Sequence, residues 1–284
     1  MVRQTTIPTR VGPVPCRIWG DGLPVLASHG MLVDGRLWDQ VAAELPPSVA
    51  LIAPDLPLGA HATPVPDRAM LTAEGIAGAL IDILDHLGIQ TAVAVGSDTG
   101  GALTQIAVGD HLTRFSGLVL CSCDALSHCP PPLLRPLRPI VGTPGLLRTV
   151  GWAFSLKPTF ASPGPLNLLC KKPVDESLVT SWLSPFRTSP AIRSDFAAFF
   201  KTMRRDLTLK AAEQLRTFSG PTVIAWSRGE RLFPRRDAEQ LAAMIPRATL
   251  HWIDDALTLS PLDQPSAVAQ AIGRVITRTG LLRN

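Results

Sequence analysis

A chain of 284 residues, 46% hydrophobic and 18% charged, can bury a substantial core and excludes a disordered polymer. Its formal net charge of +4 is spread over small groups such as Lys171-Lys172, Arg204-Arg205 and Arg235-Arg236, with no interleaved aromatics, which argues against a nucleic-acid partner. Tyrosine is absent, so no mechanism can use a protein phenol. The five cysteines (Cys16, Cys121, Cys123, Cys129 and Cys170) are odd in number and lack paired spacing, which argues against a disulfide framework and against a zinc site. The first residues are polar, and no apolar run approaches bilayer length; a cytoplasmic protein with no membrane partner is the expectation.

Taken in order, residues 5–9 and 14–19 read as a hairpin around Gly12-Pro13, at a sheet edge. Residues 23–28 form a buried strand ending at His29-Gly30-Met31. A helical pattern over 37–45 stops at Pro46-Pro47. Residues 49–54 form another buried strand, followed by Asp55. Apolar residues at three-to-four spacing predict a long helix over 71–87, with Thr72 as N-cap and Gly88 just past its end. A strand over 91–95, a helix over 102–108 and a strand over 115–121 follow. From Cys129 to about Gly220 prolines cluster around short helical patterns at 146–156, 175–183 and 192–203. This segment reads as a helical insertion, because Trp152, Trp182, Phe196, Phe199 and Phe200 need burial. Alternation then resumes with strands over 221–226 and 248–253 and helices over 236–245 and 265–278.

The alternation implies an α/β fold with a mostly parallel, eight-stranded sheet covered by helices on both faces. It divides the chain into a core over 1–128, a cap over 129–220 and the rest of the core over 221–284. Ligands are then expected at the carboxyl ends of the strands. His29, Asp55, Asp98 and Asp124 all follow predicted strands and converge on that rim.

The stretch Val95-Gly96-Ser97-Asp98-Thr99-Gly100-Gly101 has the strand–sharp turn–helix context of a nucleophile elbow, with Asp98 at the tip. Small neighbours leave its carboxylate exposed at the end of the sheet. His29-Gly30, Asp55-Leu56-Pro57, the elbow, residues 226–234 and Asp263-Gln264-Pro265 together resemble the α/β-hydrolase fold over nearly the whole chain. An Asp at the tip resembles the branch containing haloalkane dehalogenases and epoxide hydrolases. That resemblance implies that Asp98 attacks an sp3 carbon, and that the resulting ester is hydrolysed by water. The backbone N–H groups of Met31 and Thr99 would hold the oxyanion. Glu230, in Trp226-Ser227-Arg228-Gly229-Glu230, would be the acid of the base pair, with Asp124 as an alternative.

The pattern departs from the branch at the base. Thr258 stands where a His is required, and Thr is no base near neutral pH. His128, at the entrance to the cap, is the candidate for a relocated base; His61, after Asp55, is a second rim histidine, and His29 reads as a turn residue shaping the oxyanion loop. Trp152 and Trp182 of the cap are candidates to donate an N–H to a leaving group. Three functions remain open at this point: a hydrolase acting at an electrophilic carbon, a lyase, isomerase or cyclase using Asp98 as general acid/base, and a ligand-binding protein that has lost catalysis. The apolar cap favours a small hydrophobic organic substrate. No cofactor motif is seen, and nothing indicates an oligomeric state.

Overall fold

The computed structural model describes residues 2–137, 141, 147–149 and 169–281. Its sheet contains eight strands: β1 (Val2–Thr9), β2 (Gly12–Trp19), β3 (Leu23–Ser28), β4 (Val49–Pro54), β5 (Ala92–Asp98), β6 (Phe115–Cys123), β7 (Thr222–Ser227) and β8 (Ala248–Ile253). They lie in the order β1-β2-β4-β3-β5-β6-β7-β8. The hairpin β1–β2 is antiparallel and joins the edge at β4, also antiparallel; every other pairing is parallel. The α/β architecture expected from the alternation is therefore present. Strands β4 and β5 are buried along their whole length. This is why they read as continuous apolar runs rather than alternating ones.

Helices α1 (Asp39–Glu44), α2 (Ala73–His86) and α3 (Thr99–Asp110) connect the first strands. Thr72 caps α2, its hydroxyl accepting the Gly75 N–H at 2.8 Å, and Gly88 follows at φ 68°. The two faces of the sheet bury separate apolar clusters. One contains Leu26, Ile52, Leu103 and Trp226, the other Val25, Leu51, Val95 and Trp38. Each such side chain, fully buried, contributes roughly 1.5–3 kcal/mol.

The insertion contributes α4 (Glu176–Thr188) and α5 (Pro190–Thr202), joined through Phe186, Phe196 and Phe200. Phe186 and Phe196 meet edge-on, with ring centres 5.1 Å apart. The helix expected over 146–156 lies largely outside the described residues. A helix not foreseen, α6 (Arg205–Leu215), packs against α3, and its Thr208 hydroxyl donates to the Leu126 carbonyl at 2.6 Å. The chain is thus back against the core layer well before residue 220. Helices α7 (Arg235–Met244), α8 (Ser260–Asp263) and α9 (Pro265–Thr279) complete the fold. Among the described residues no helix is long and apolar enough to cross a membrane.

The order of strands positions the site. From β3 the chain runs outward to β4, then returns to β5 on the other side of β3. The crevice of a parallel sheet opens at such a reversal, at the carboxyl ends of the strands. Ser28 and Gly96 are register partners on β3 and β5, so His29-Gly30 and Ser97-Asp98 leave the sheet side by side.

Candidate active site

Asp98 ends β5 and precedes the first residue of α3, with φ 55° and ψ −135°. A non-glycine residue there stores backbone strain, about 1–3 kcal/mol, that the surrounding packing must hold. The turn is crowded on both sides. A Cβ on Gly30 would stand 2.0 Å from Asp98 Oδ2, and one on Gly100 would stand 2.4 Å from the His29 carbonyl oxygen. Gly30 therefore lets the carboxylate rest against bare backbone. Gly30→Ala is expected to push the carboxylate out of place and cut turnover by at least about tenfold, because misplacement of about 1 Å costs more than that. A Gly30→Ala protein with unchanged kcat would contradict this close approach.

Asp98 is only 7% exposed, so the carboxylate expected to stand exposed at the end of the sheet is buried. Burial raises its pKa from the ordinary 3.8 to about 7, and the charge of Glu230 adds to the rise. The N–H groups of Thr99 and Met31 interact with the carboxylate and pull the other way. These are the two N–H groups expected from the sequence to hold an oxyanion, and both act on the Asp98 carboxylate.

Glu230 lies in the loop between β7 and α7. Its Oε1 accepts the N–H groups of Arg231 and Leu232 at 2.8 Å, that of Phe233 at 3.3 Å, and the Thr258 hydroxyl at 2.9 Å. Its Oε2 is buried without a hydrogen-bond partner. Thr258 is itself fully buried, and its carbonyl accepts from the Ser97 hydroxyl at 3.4 Å, which ties its loop to the residue before Asp98. The structure thus brings Asp98, Thr258 and Glu230 together, with Thr258 holding the acid.

The other candidates are engaged elsewhere. His128 Nδ1–H donates to Asp237 at 2.8 Å, and its Nε2 accepts from Arg236 at 2.7 Å. Both ring nitrogens face α7, so the expectation of a relocated base at His128 is corrected. His61 accepts the Gly59 N–H at Nδ1 and donates through Nε2 to Asp195 of α5 at 3.4 Å. Asp195 also accepts from Val65 N–H and Arg68, so this cluster fastens the cap to the loop after β4. His61 does line a cavity of about 330 Å³ with Asp34, Arg36 and Asp55, but Asp98 is not part of its wall. His29 is fully buried. Its Nδ1–H meets the Gly30 carbonyl at 2.8 Å, and its Nε2 accepts the Leu56 N–H at 2.8 Å. It braces the oxyanion loop and has no nitrogen left for substrate, and burial lowers its pKa.

Trp182 is 1% exposed and packs in the core beside Asp34. Trp152 lies outside the described residues. Asp124 sits behind the elbow, its Oδ2 accepting from the Thr99 hydroxyl at 3.1 Å and its Oδ1 buried without a partner. Burial and then the nearby Asp98 push its pKa well above the ordinary value. Asp124 is thus engaged with the first residue of α3 through the Thr99 hydroxyl. Sequence reasoning missed Ser97, Asp195 and Asp237. The last two are buried acids on helices, a signal that spacing alone does not separate from surface charge.

A family model described as the alpha/beta hydrolase family matches residues 25–271. The chain belongs to that family. Among curated relatives of this α/β hydrolase, the uncharacterized hydrolase YugF of Bacillus subtilis (strain 168) is 26% identical over 255 residues, covering 87% of this chain and 88% of its own. The 2-hydroxymuconate semialdehyde hydrolase of Pseudomonas putida is 28% identical over 242 residues, covering 82% and 79%. Among solved structures, the haloalkane dehalogenase DbeA from Bradyrhizobium elkani USDA94 superposes with a TM-score of 0.82 at 17% identity, over 99% of each chain. At that identity the likeness is one of fold.

Proposed function

We propose that this α/β hydrolase uses the Asp98 carboxylate as a nucleophile toward an sp3 carbon that bears a leaving group, in a small hydrophobic substrate. One observation carries the reading: a carboxylate stands at the strained tip of the elbow, against the N–H groups of Met31 and Thr99. An Asp held there at the cost of strain and burial has no packing use. A carboxylate needs no base to become a nucleophile once it is ionised. Its attack forms the C–O bond of an ester while the leaving group departs with the electron pair. With no tyrosine to protonate a departing oxygen, leaving groups that depart as stable anions suit the site better than epoxides. The apolar surround fits such a substrate: Phe196 and Phe200 of the cap pack with Met31 and Leu32 of the oxyanion loop.

Intact-mass measurement after incubation with hexyl bromide and styrene oxide tests the reading. A mass gain that disappears in Asp98→Asn, or release of bromide that does so, is expected. If a broad panel of alkyl halides and epoxides yields neither adduct nor product, nucleophilic alkylation is wrong.

The pKa of Asp98 near 7, with Thr258 in the place of a base, favours a second reading. Asp98 would then move a proton, as general acid or base in an elimination or isomerisation, without forming an ester. Conversion of substrate with no adduct, and with no oxygen taken up from labelled water, would favour it over the first.

A further inference from the structure

The ester formed at Asp98 needs a base to be hydrolysed, and His29, His61 and His128 are occupied by other partners. The two oxygens of Glu230 differ sharply. Oε1 accepts three backbone N–H groups and the Thr258 hydroxyl. Oε2 is buried and has no partner at all. A buried carboxylate oxygen without a donor is costly and calls for one. Thr258 is shorter than the imidazole that would otherwise separate the acid from the elbow. Glu230 is close enough for its charge to act on Asp98.

We propose that Glu230 Oε2 is the general base itself, holding and deprotonating the water that cleaves the Asp98 ester, with no histidine between them. The inference rests on the nucleophilic reading of Asp98. Glu230 takes one proton from the water as its oxygen adds to the ester carbon. The N–H groups of Met31 and Thr99 hold the oxyanion. Collapse breaks the bond to the alkoxide, which takes the proton back from Glu230 and leaves as the alcohol. Asp98 is left as a carboxylic acid and loses its proton to solvent. The sum is R–X plus water giving R–OH, X⁻ and a proton.

Single-turnover reactions with hexyl bromide, followed by intact mass, separate formation of the adduct from its release. Glu230→Gln keeps an oxygen acceptor for the three N–H groups. It is expected to form the adduct at a rate within a few-fold of wild type and to release it at least about 100-fold more slowly, the usual worth of a general base. Release at the wild-type rate in Glu230→Gln overturns the inference while the role of Asp98 stands. So does a wild-type protein that holds its adduct as firmly as the variant. Absence of adduct and of bromide release in both proteins overturns the nucleophilic reading, and the inference with it. Should Glu230→Gln fail to fold, Glu230→Asp withdraws the carboxylate from the water; it is expected to alkylate normally and release more slowly, and unchanged release in it overturns the inference.

Discussion

Asp98→Asn is expected to abolish adduct formation and turnover, and at the same time to stabilise the protein above neutral pH. The loss of activity should reach on the order of 10⁴-fold or more, because the nucleophile and the ester it forms both vanish. The gain in stability follows from burial. In the native protein Asp98 titrates at about 7, against an ordinary value of 3.8. Between those two values the unfolded chain is ionised at this position while the native protein holds a proton there. The native state therefore binds more protons, and its stability falls as pH rises through that window, by on the order of a few kcal/mol from this group. Asn carries no charge and tolerates the positive φ of the elbow. Its advantage should be near zero below about pH 3, where both the native and the unfolded wild type are protonated, and largest above pH 7. Thermal melts of the two proteins at both ends of this range check the expectation. A melting-temperature difference that does not grow with pH would contradict the buried charge. The same titration predicts that alkylation by the wild type rises with pH below about 7 and levels off above it, since only the ionised carboxylate attacks.

Coexistence of loss and gain in one substitution is what a functional carboxylate in an unfavourable place implies. Strain at φ 55° and burial of the charge both oppose folding, and both are held by the glycines and N–H groups around the elbow.

Much of this was legible in the amino-acid sequence. The strands over 23–28, 49–54 and 248–253 have the same bounds in the structure, because each is bounded by turn residues. Thr72 and Asp98 were legible for a different reason: a helix cap and a sharp turn are local events, carried by residues a few positions apart. The partners of the histidines were not legible. His61 and Asp195 are 134 residues apart, and His128 and Asp237 are 109 apart. No local spacing encodes such a pair, so a free rim histidine and an occupied one look alike in sequence. Helix α6 did carry a signal, with Leu207, Ala211 and Leu215 at four-residue intervals, all buried. It was hidden by the neighbouring proline-rich segment, whose character was extended over it. The Glu230–Thr258 bond lies between these cases. Both loops could be placed by pattern, but the saturation of one oxygen and the isolation of the other are visible only in three dimensions.

Thr258→His is expected to accelerate release of the Asp98 ester by about 100-fold, within the range that a positioned imidazole base contributes. The partner for that imidazole is already in place. Glu230 Oε1 accepts the Thr258 hydroxyl at 2.9 Å and would accept an imidazole N–H in its stead, fixing the tautomer and leaving the other nitrogen for water. The cost is steric. Thr258 is fully buried between Leu257 and Leu259, which are also buried, so a larger ring overpacks the loop by about 1–3 kcal/mol. A lower melting temperature with faster release is therefore the expected pair of results, and adduct formation should not change, since the base has no part in it. Combining Thr258→His with Glu230→Gln should remove most of the gain, because the imidazole then lacks the carboxylate that orients it and stabilises its charged form. If the single variant folds, alkylates at the wild-type rate and releases no faster, Thr258 does not occupy the position of the missing base, and the geometry linking Glu230 to the ester must run by another route.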